Sequence, residues 1–356
     1  MNTGEIWWSH MTQPRLFLRR VSDALLQKRS VTLLLPDKTP WRESMREVIA
    51  DELDRGNAVK TVEFIQCPQE EPGPWLLEHY CRSDKRATYR PGIGYAAFLG
   101  ESEDITLNQR ILWLCDVSVS ACARWMDFIA EYTAHAAKGR ELAQFILEAD
   151  DASAALPTRR GSDCFAADTM FHESDRYVFC MLLADHIRED IKPYLCDLIA
   201  SLCADDIELC AACMRHGDMF LRDPFACIRQ IIAQESRSDG RPFAFVFDDS
   251  VQRNAVWMSQ LKFLFPRIER FRSHFVQKYA RPLALSLPVQ DAFGNIISHV
   301  QDLELGMLIC IIGQGGLNVT TEEYHQLDLF RHARNELAHM NPITQEEVEQ
   351  LLAVPL

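Results

Sequence analysis

The sequence predicts an α+β protein of several domains. An α/β domain with a parallel sheet is expected over residues 1–150, a mostly helical middle over 151–245, and an all-α bundle over 246–356. Three observations predict this. The chain has 356 residues, more than one ordinary domain holds. In its first third, short β-rich runs alternate with helical patterns, the rhythm of a helix-covered parallel sheet. From about Phe165 the apolar spacing becomes helical and largely stays so.

Val31–Leu35 is the first strand, followed by a turn at Pro36-Asp-Lys-Thr-Pro40 and a helical pattern to about Leu53. Val59–Ile65, Ile111–Cys115 and Gln144–Leu147 are the next strands. The third ends at Asp116 and leads into a helix from about Ala121 to Ala137, and Asp151–Asp163 reads as a linker. Tyr177–Ile187, Lys192–Met214 and Phe225–Ala233 are helical, Glu235–Pro242 is a polar break, and Phe243–Phe247 is apolar enough for a strand. Val251–Tyr279 is one long amphipathic stretch, interrupted at Pro266. Ser286–Asn295 reads as a loop and Leu303–Ile312 as an apolar helix ended by Gly313-Gln-Gly-Gly316. Two capping boxes, Thr320-x-x-Glu323 and Thr344-x-x-Glu347, open the last two helices.

Composition narrows the function. With 37 basic against 51 acidic side chains the net charge is −14, so non-specific nucleic-acid binding by overall charge is excluded and any RNA contact needs a local patch. No apolar run approaches the roughly 18 residues of a membrane span, and Met1–Arg20 lacks the apolar core of a signal peptide. A cytoplasmic protein without membrane contact is expected. The 12 cysteines are then expected as reduced thiols. Cys196, Cys203 and Cys210 recur on one helical face, which suits core packing. Cys210-x2-Cys213 with His216 has the residue types for zinc, but no second pair stands nearby at metal spacing, and no metal is expected.

Strand, turn, helix and a later strand ending in Asp is the order of a P-loop nucleotide-binding domain, which the N-terminal part resembles. The phosphate cradle of such a domain needs glycines, a Lys and a Ser or Thr. Here the turn reads Pro36-Asp-Lys-Thr-Pro-Trp-Arg-Glu-Ser44, with no glycine and two prolines that lack an N–H, and Val117 follows Asp116 where a catalytic Glu would stand. The resemblance implies a degenerate, pseudo-ATPase scaffold without a cofactor; an unrelated α/β domain is the other reading.

Near the C-terminus stands Phe330-Arg-His-Ala-Arg-Asn-Glu-Leu-Ala-His339. Arg334-Asn335-x3-His339 closes a capped helix, and His325, His332 and His339 recur at seven-residue intervals with Asp328 and Asn335 between them. His339 can act as acid or base near neutrality, and Arg334 can hold the charge that develops on a phosphate. Asn335 shares the face of His339, whereas Arg334 lies about 140° round an ideal helix from it. Residues Val251–Leu356 resemble the HEPN superfamily, whose ribonuclease members carry R-x4–6-H with a polar residue often after the Arg. The resemblance implies a metal-independent endoribonuclease with a composite site across a homodimer, of the kind found in bacterial conflict and antiviral (anti-phage) systems. The stripe also reads as a non-catalytic dimer face, ordinary surface or a metal site.

The stretch upstream is basic and aromatic: Arg253, Lys262, Arg267, Arg270, Arg272, Lys278 and Arg281 stand against Glu269 alone. Arg267, Arg270, Arg272 and Lys278, with His332, are the candidate RNA contacts; a helix with a snorkelling basic side is the bland reading. The expected partners are RNA, a second copy of the chain and a regulatory protein. The alternative function is a non-catalytic HEPN-like dimerisation protein whose α/β domain docks a partner.

Overall fold

Ser30–Leu35 (β1) is buried at all six positions, as a strand covered on both faces must be. In the computed structural model, which describes residues 2–356 except 57–59, 104, 137–139, 158, 168–169 and 292–293, β1 lies inside a five-stranded sheet. The other strands are Thr61–Gln66 (β2), Arg110–Val117 (β3), Gln144–Asp150 (β4) and Ser162–Ala166 (β5), in the order β2-β3-β4-β1-β5. Every pairing is parallel, with Val31 opposite Ile146 on one side and Leu33 opposite Phe165 on the other. Parallel neighbours require crossover connections, and the sequence supplies helices for them. Among these are Arg42–Arg55 (α2) after β1 and Val119–Ala134 (α3) after β3; Thr12–Leu26 (α1) precedes β1. Val59 and Ala137, expected ends of the second strand and of α3, lie outside the described residues.

Residues 151–163 are not a plain linker. They hold a short 3-10 turn and the start of β5, an edge strand that is buried at Ser162 and alternates between half-buried and exposed after it. Gly161, at φ +89°, makes the turn into it, a conformation that a side chain would strain.

One face of the sheet carries a core of Leu112, Leu114, Phe145 and Leu147 with Leu76, Leu99, Trp125 and Ile129. Trp125 packs edge-on against Trp75 and Phe128. Near the opposite strand ends, Lys60 donates to the carbonyl of Leu142 and to Oε1 of Gln144. Burial pushes the Lys60 amine down to about 8. The folded state therefore binds fewer protons than the unfolded chain between about pH 8 and the ordinary lysine range, so this group's destabilisation is full below pH 8 and fades as pH rises. Lys60→Met is expected to gain stability over wild type at pH 7.5 and to lose part of that advantage at pH 9.5, measured by urea unfolding at both.

Chain contacts divide the protein into two units, Met1–Phe179 with Asp205–Glu208, and Cys180–Ala204 with Leu209–Leu356. Among the described residues the second is largely helical and holds a two-stranded ribbon, Val289–Gln290 with Ile296–Ile297, whose first strand lies inside the expected loop Ser286–Asn295 and whose second follows it. The helical run expected over Lys192–Met214 is two helices, Lys192–Leu202 (α4) and Ile207–Arg215 (α5), with Ala204 at φ +48° between them. Phe243–Phe247 forms no strand. Asp249–Lys278 (α6) runs for 30 residues straight through Pro266, where an interruption was expected. Proline removes one helical N–H, and packing along α4 and along Thr321–Ala338 (α8) holds the helix together. Leu305–Gly313 (α7) and Gln345–Ala353 (α9) flank α8. Phe271 of α6 stacks on Phe330 of α8 with ring centres 3.9 Å apart. The buried Gln260 amide donates to the carbonyl of Ile343 and accepts its N–H, both at 2.8 Å, which fixes the chain just before α9.

Candidate functional site

Helix α8 carries the Arg334–His339 motif, and both its ends are fixed. At the start, Thr320 and Glu323 form the expected capping box. Glu323 also accepts from Lys278 at 2.5 Å and from the hydroxyl of Tyr279 at 2.7 Å, tying the end of α6 to the start of α8. These donors, Lys278 first, hold the Glu323 carboxyl down at about 2. A depressed carboxyl stabilises the fold above its unfolded value and loses that contribution as pH falls through its folded value. Wild type is therefore expected to lose more stability than Glu323→Gln between pH 5 and pH 2, a difference that urea titrations at the two pH values would read.

At the other end His339 is the C-cap. Asn341 N–H donates to the carbonyl of Glu336 and Met340 N–H to that of Leu337, the paired bonds of a Schellman turn. The left-handed position of such a turn, normally glycine, is Met340 at φ +61°, and strain of this kind persists only where neighbours enforce it. They do so here: Trp257 Nε1 donates to the carbonyl of Leu337 at 2.8 Å, and Arg253 to Oδ1 of Asn341 at 2.8 Å.

His339 is exposed on this turn, and Arg334 and Asn335 are half-buried. Arg334 faces Glu304 at 3.5 Å, a loose and largely solvated pair. Among the described residues, the side chains of Asn335 and His339 make no hydrogen bond or ion pair; the motif is joined only through the backbone, where His339 N–H donates to the carbonyl of Asn335 at 3.1 Å. His332 sits elsewhere on the helix, with Nε2 3.1 Å from Glu347 of the second capping box. His325, Asp328 and His332 line a shallow groove of about 850 Å³ with Gln350 and Val354.

The basic residues of α6 are partly engaged inside the bundle. Arg267 donates to the carbonyls of Leu351, Leu352 and Val354, so it caps α9. Arg272 donates to the carbonyls of Gln301 and Leu303 and to Glu269. Lys278 holds Glu323. Arg270 is exposed beside a hollow of about 310 Å³ that Asp190, Tyr194 and Pro266 also line.

In the first unit, the turn at the carboxyl end of β1 is closed by its own contacts. Thr39 N–H and hydroxyl both donate to the carbonyl of Pro36, as does Arg42 at 3.3 Å, and Trp8 Nε1 donates to the carbonyl of Pro40. Trp41, at φ +41°, caps α2, and its N–H donates to Oε1 of Glu208 at 2.9 Å. Lys38 donates to Asp205 at 3.1 Å. A buried carboxylate thus occupies the helix N-terminus, where the positive end of the helix dipole favours an anion. Glu208 lies 167 residues from Trp41, so no local sequence signal could have found it. Asp116, at φ +53° beside an irregularity in β3, accepts from Gln66 at 3.1 Å.

Cys196, Cys203, Cys210 and Cys213 are all buried, with the thiols of Cys203 and Cys213 3.7 Å apart. Burial, reinforced for Cys203 by the thiols of Cys210 and Cys213, pushes Cys196 and Cys203 up, so both are protonated at neutral pH. His216 turns to Glu235 at 2.8 Å. Among the described residues no group of three or more His, Cys, Asp or Glu side chains is placed to hold a metal ion, and no helix is long and apolar enough to cross a membrane. No protein-family model matches the chain, and no curated protein shows significant similarity to it.

Proposed function

We propose that the chain is a metal-independent endoribonuclease of HEPN type, with a site that two copies of α8 complete together. The observation that carries this reading is the presentation of Arg334, Asn335 and His339 at the end of α8: the helix is fixed at both ends, yet His339 is exposed and Arg334 and Asn335 are only half-buried. In RNA cleavage without a metal, the 2′-hydroxyl attacks the adjacent phosphate, a 2′,3′-cyclic phosphate forms and the bond to the 5′-oxygen of the next nucleotide breaks. His339 moves the proton from the 2′-hydroxyl to the departing 5′-oxygen, Arg334 leaves its loose pair with Glu304 to bind the phosphate oxygens, and Asn335 orients the group on its own face. Arg334 and His339 point apart around the helix, which favours a pocket shared with a second chain over one within a single chain. Exposed Tyr324 on α8 and Met340 in the turn just after it offer apolar surface to that second copy.

A specific observation favours the second reading, a non-catalytic dimerisation protein whose α/β domain docks a regulatory partner. The turn that a P-loop would use for phosphates is filled by Glu208, and Lys38 is held by Asp205. This suits a pseudo-ATPase scaffold whose β1 and β3 are separated by β4. The experiment that separates the two readings is incubation of purified dimer with total RNA and transfer RNA in excess EDTA. Cleavage that His339→Ala abolishes supports the enzyme; intact RNA with a folded dimer supports the docking protein.

A further inference from the structure

The N-terminal residues make a cleft that no part of the ribonuclease reading uses. Thr3–Glu5 is a single α-helical turn that widens into a π-helix over Ile6–His10. Such wide turns are rare and recur at functional sites. Trp7 and Trp8 are both fully buried by it, and Glu5, Ser9 and His10 are left facing α2. Between the two lies a cleft of about 380 Å³, the size of a small-molecule site.

The wall on α2 is one helical face: Ser44, Glu47, Val48, Asp51, Glu52 and Arg55. With Glu5 this gives four carboxylates against the guanidinium groups of Arg15 and Arg55. Only Asp51 has an ion partner, Arg55 at 3.5 Å; the carboxylates of Glu5, Glu47 and Glu52 make no hydrogen bond or ion pair among the described residues.

A second observation points to a ligand. Ser44, only 7% exposed, lines the cleft, and its hydroxyl has no hydrogen-bond partner among the described residues. The carbonyl four residues back, of Pro40, accepts from Trp8 Nε1 at 3.0 Å and not from Ser44. Space at the hydroxyl is kept by Gly4, where a Cβ would fall 2.6 Å from Ser44 Oγ. With no partner among the described residues, the hydroxyl lining the cleft can accept from a donor that enters there.

We propose that this cleft binds a short aliphatic diamine. An ammonium group has three donors and no acceptor, which matches carboxylates plus one unpaired hydroxyl. Glu47 stands one helical turn before Asp51 and Glu52, about 6 Å along the axis, so the negative charge is set at two levels that a diammonium can bridge. An inner ammonium meets Ser44 and Glu47, and an outer one meets Asp51, Glu52 and Glu5. The same residues do not converge closely enough for a metal ion.

Calorimetric titration of the full chain with 1,4-diaminobutane, in amine-free phosphate buffer at physiological salt, tests this. Wild type is expected to bind one equivalent. The double variant Glu47→Gln/Asp51→Asn, both at exposed positions, is expected to bind about tenfold more weakly. Ser44→Ala should weaken binding less, and Glu70→Gln/Glu101→Gln, equal in charge change but outside the cleft, should leave it unchanged. Absence of one-to-one binding by wild type, or equal weakening by the two double variants, would overturn the proposal, the latter by showing diffuse attraction to an acidic protein.

Discussion

Arg46→Ala is expected to lower the unfolding free energy by about 3–5 kcal/mol, the cost of leaving a buried charge without its partner. Glu148 stands in the middle of β4 with its side chain wholly buried. It accepts from Nε and Nη2 of Arg46, both at 2.7 Å, and from Trp113 Nε1 at 2.6 Å. The paired hydrogen bonds to Glu148 hold the Arg46 guanidinium above its already high range, so it stays charged at any working pH. Alanine would leave the carboxylate with one indole N–H inside the sheet. Arg46→Met with Glu148→Leu, which removes both charges and nearly keeps the volume, should recover part of the loss, less what it costs to leave Trp113 Nε1 without its acceptor. Urea unfolding of the three proteins checks this, and a single-variant loss below about 1 kcal/mol would show that the carboxylate is relieved by protonation or water.

The second large effect concerns chemistry. If the dimer cleaves RNA, His339→Ala should reduce the single-turnover rate by about 10²–10⁴-fold, the usual worth of a positioned acid or base. Arg334→Ala should cost about 10²–10³-fold, the range for losing a charge-stabilising group. Neither should unfold the protein, because His339 is exposed and Arg334 has, among the described residues, only its loose Glu304 partner. Arg267→Ala is the contrasting case: its guanidinium caps α9, so its loss should appear as a lower melting point. Rates measured in EDTA beside thermal melts of each variant would separate the two kinds of residue. A His339→Ala rate within threefold of wild type removes His339 from the chemistry.

Much of the sheet was legible because its inner strands are continuous apolar runs. Val31–Leu35 and Ile111–Cys115 can be read with no knowledge of their neighbours. Ser162–Ala166 was not, because an edge strand that is half exposed looks like any polar linker. Phe243–Phe247 misled in the opposite sense: apolar composition made it a strand candidate, but no neighbour pairs with it. At Pro266 the local rule gave way to tertiary packing. The two capping boxes were found because Thr and Glu three residues apart report a purely local bond. The motif on α8 is local too. What a single sequence could not show is that Arg267 and Arg272 reach backbone carbonyls dozens of residues away, or that a distant carboxylate closes the turn after β1.

The position of β1 also sets a timetable for the nascent chain. Val31 pairs with Ile146, so 115 residues (146 minus 31) must be made before its first neighbour exists. At roughly 5–20 residues per second that is a wait of about 6–23 s, with a run of leucines and valine exposed and unpaired. The other neighbour, β5, comes later still. Until then a strand that the finished sheet buries at every position is the segment most open to the wrong partner, and a ribosome that stalled within the next hundred codons would leave it so.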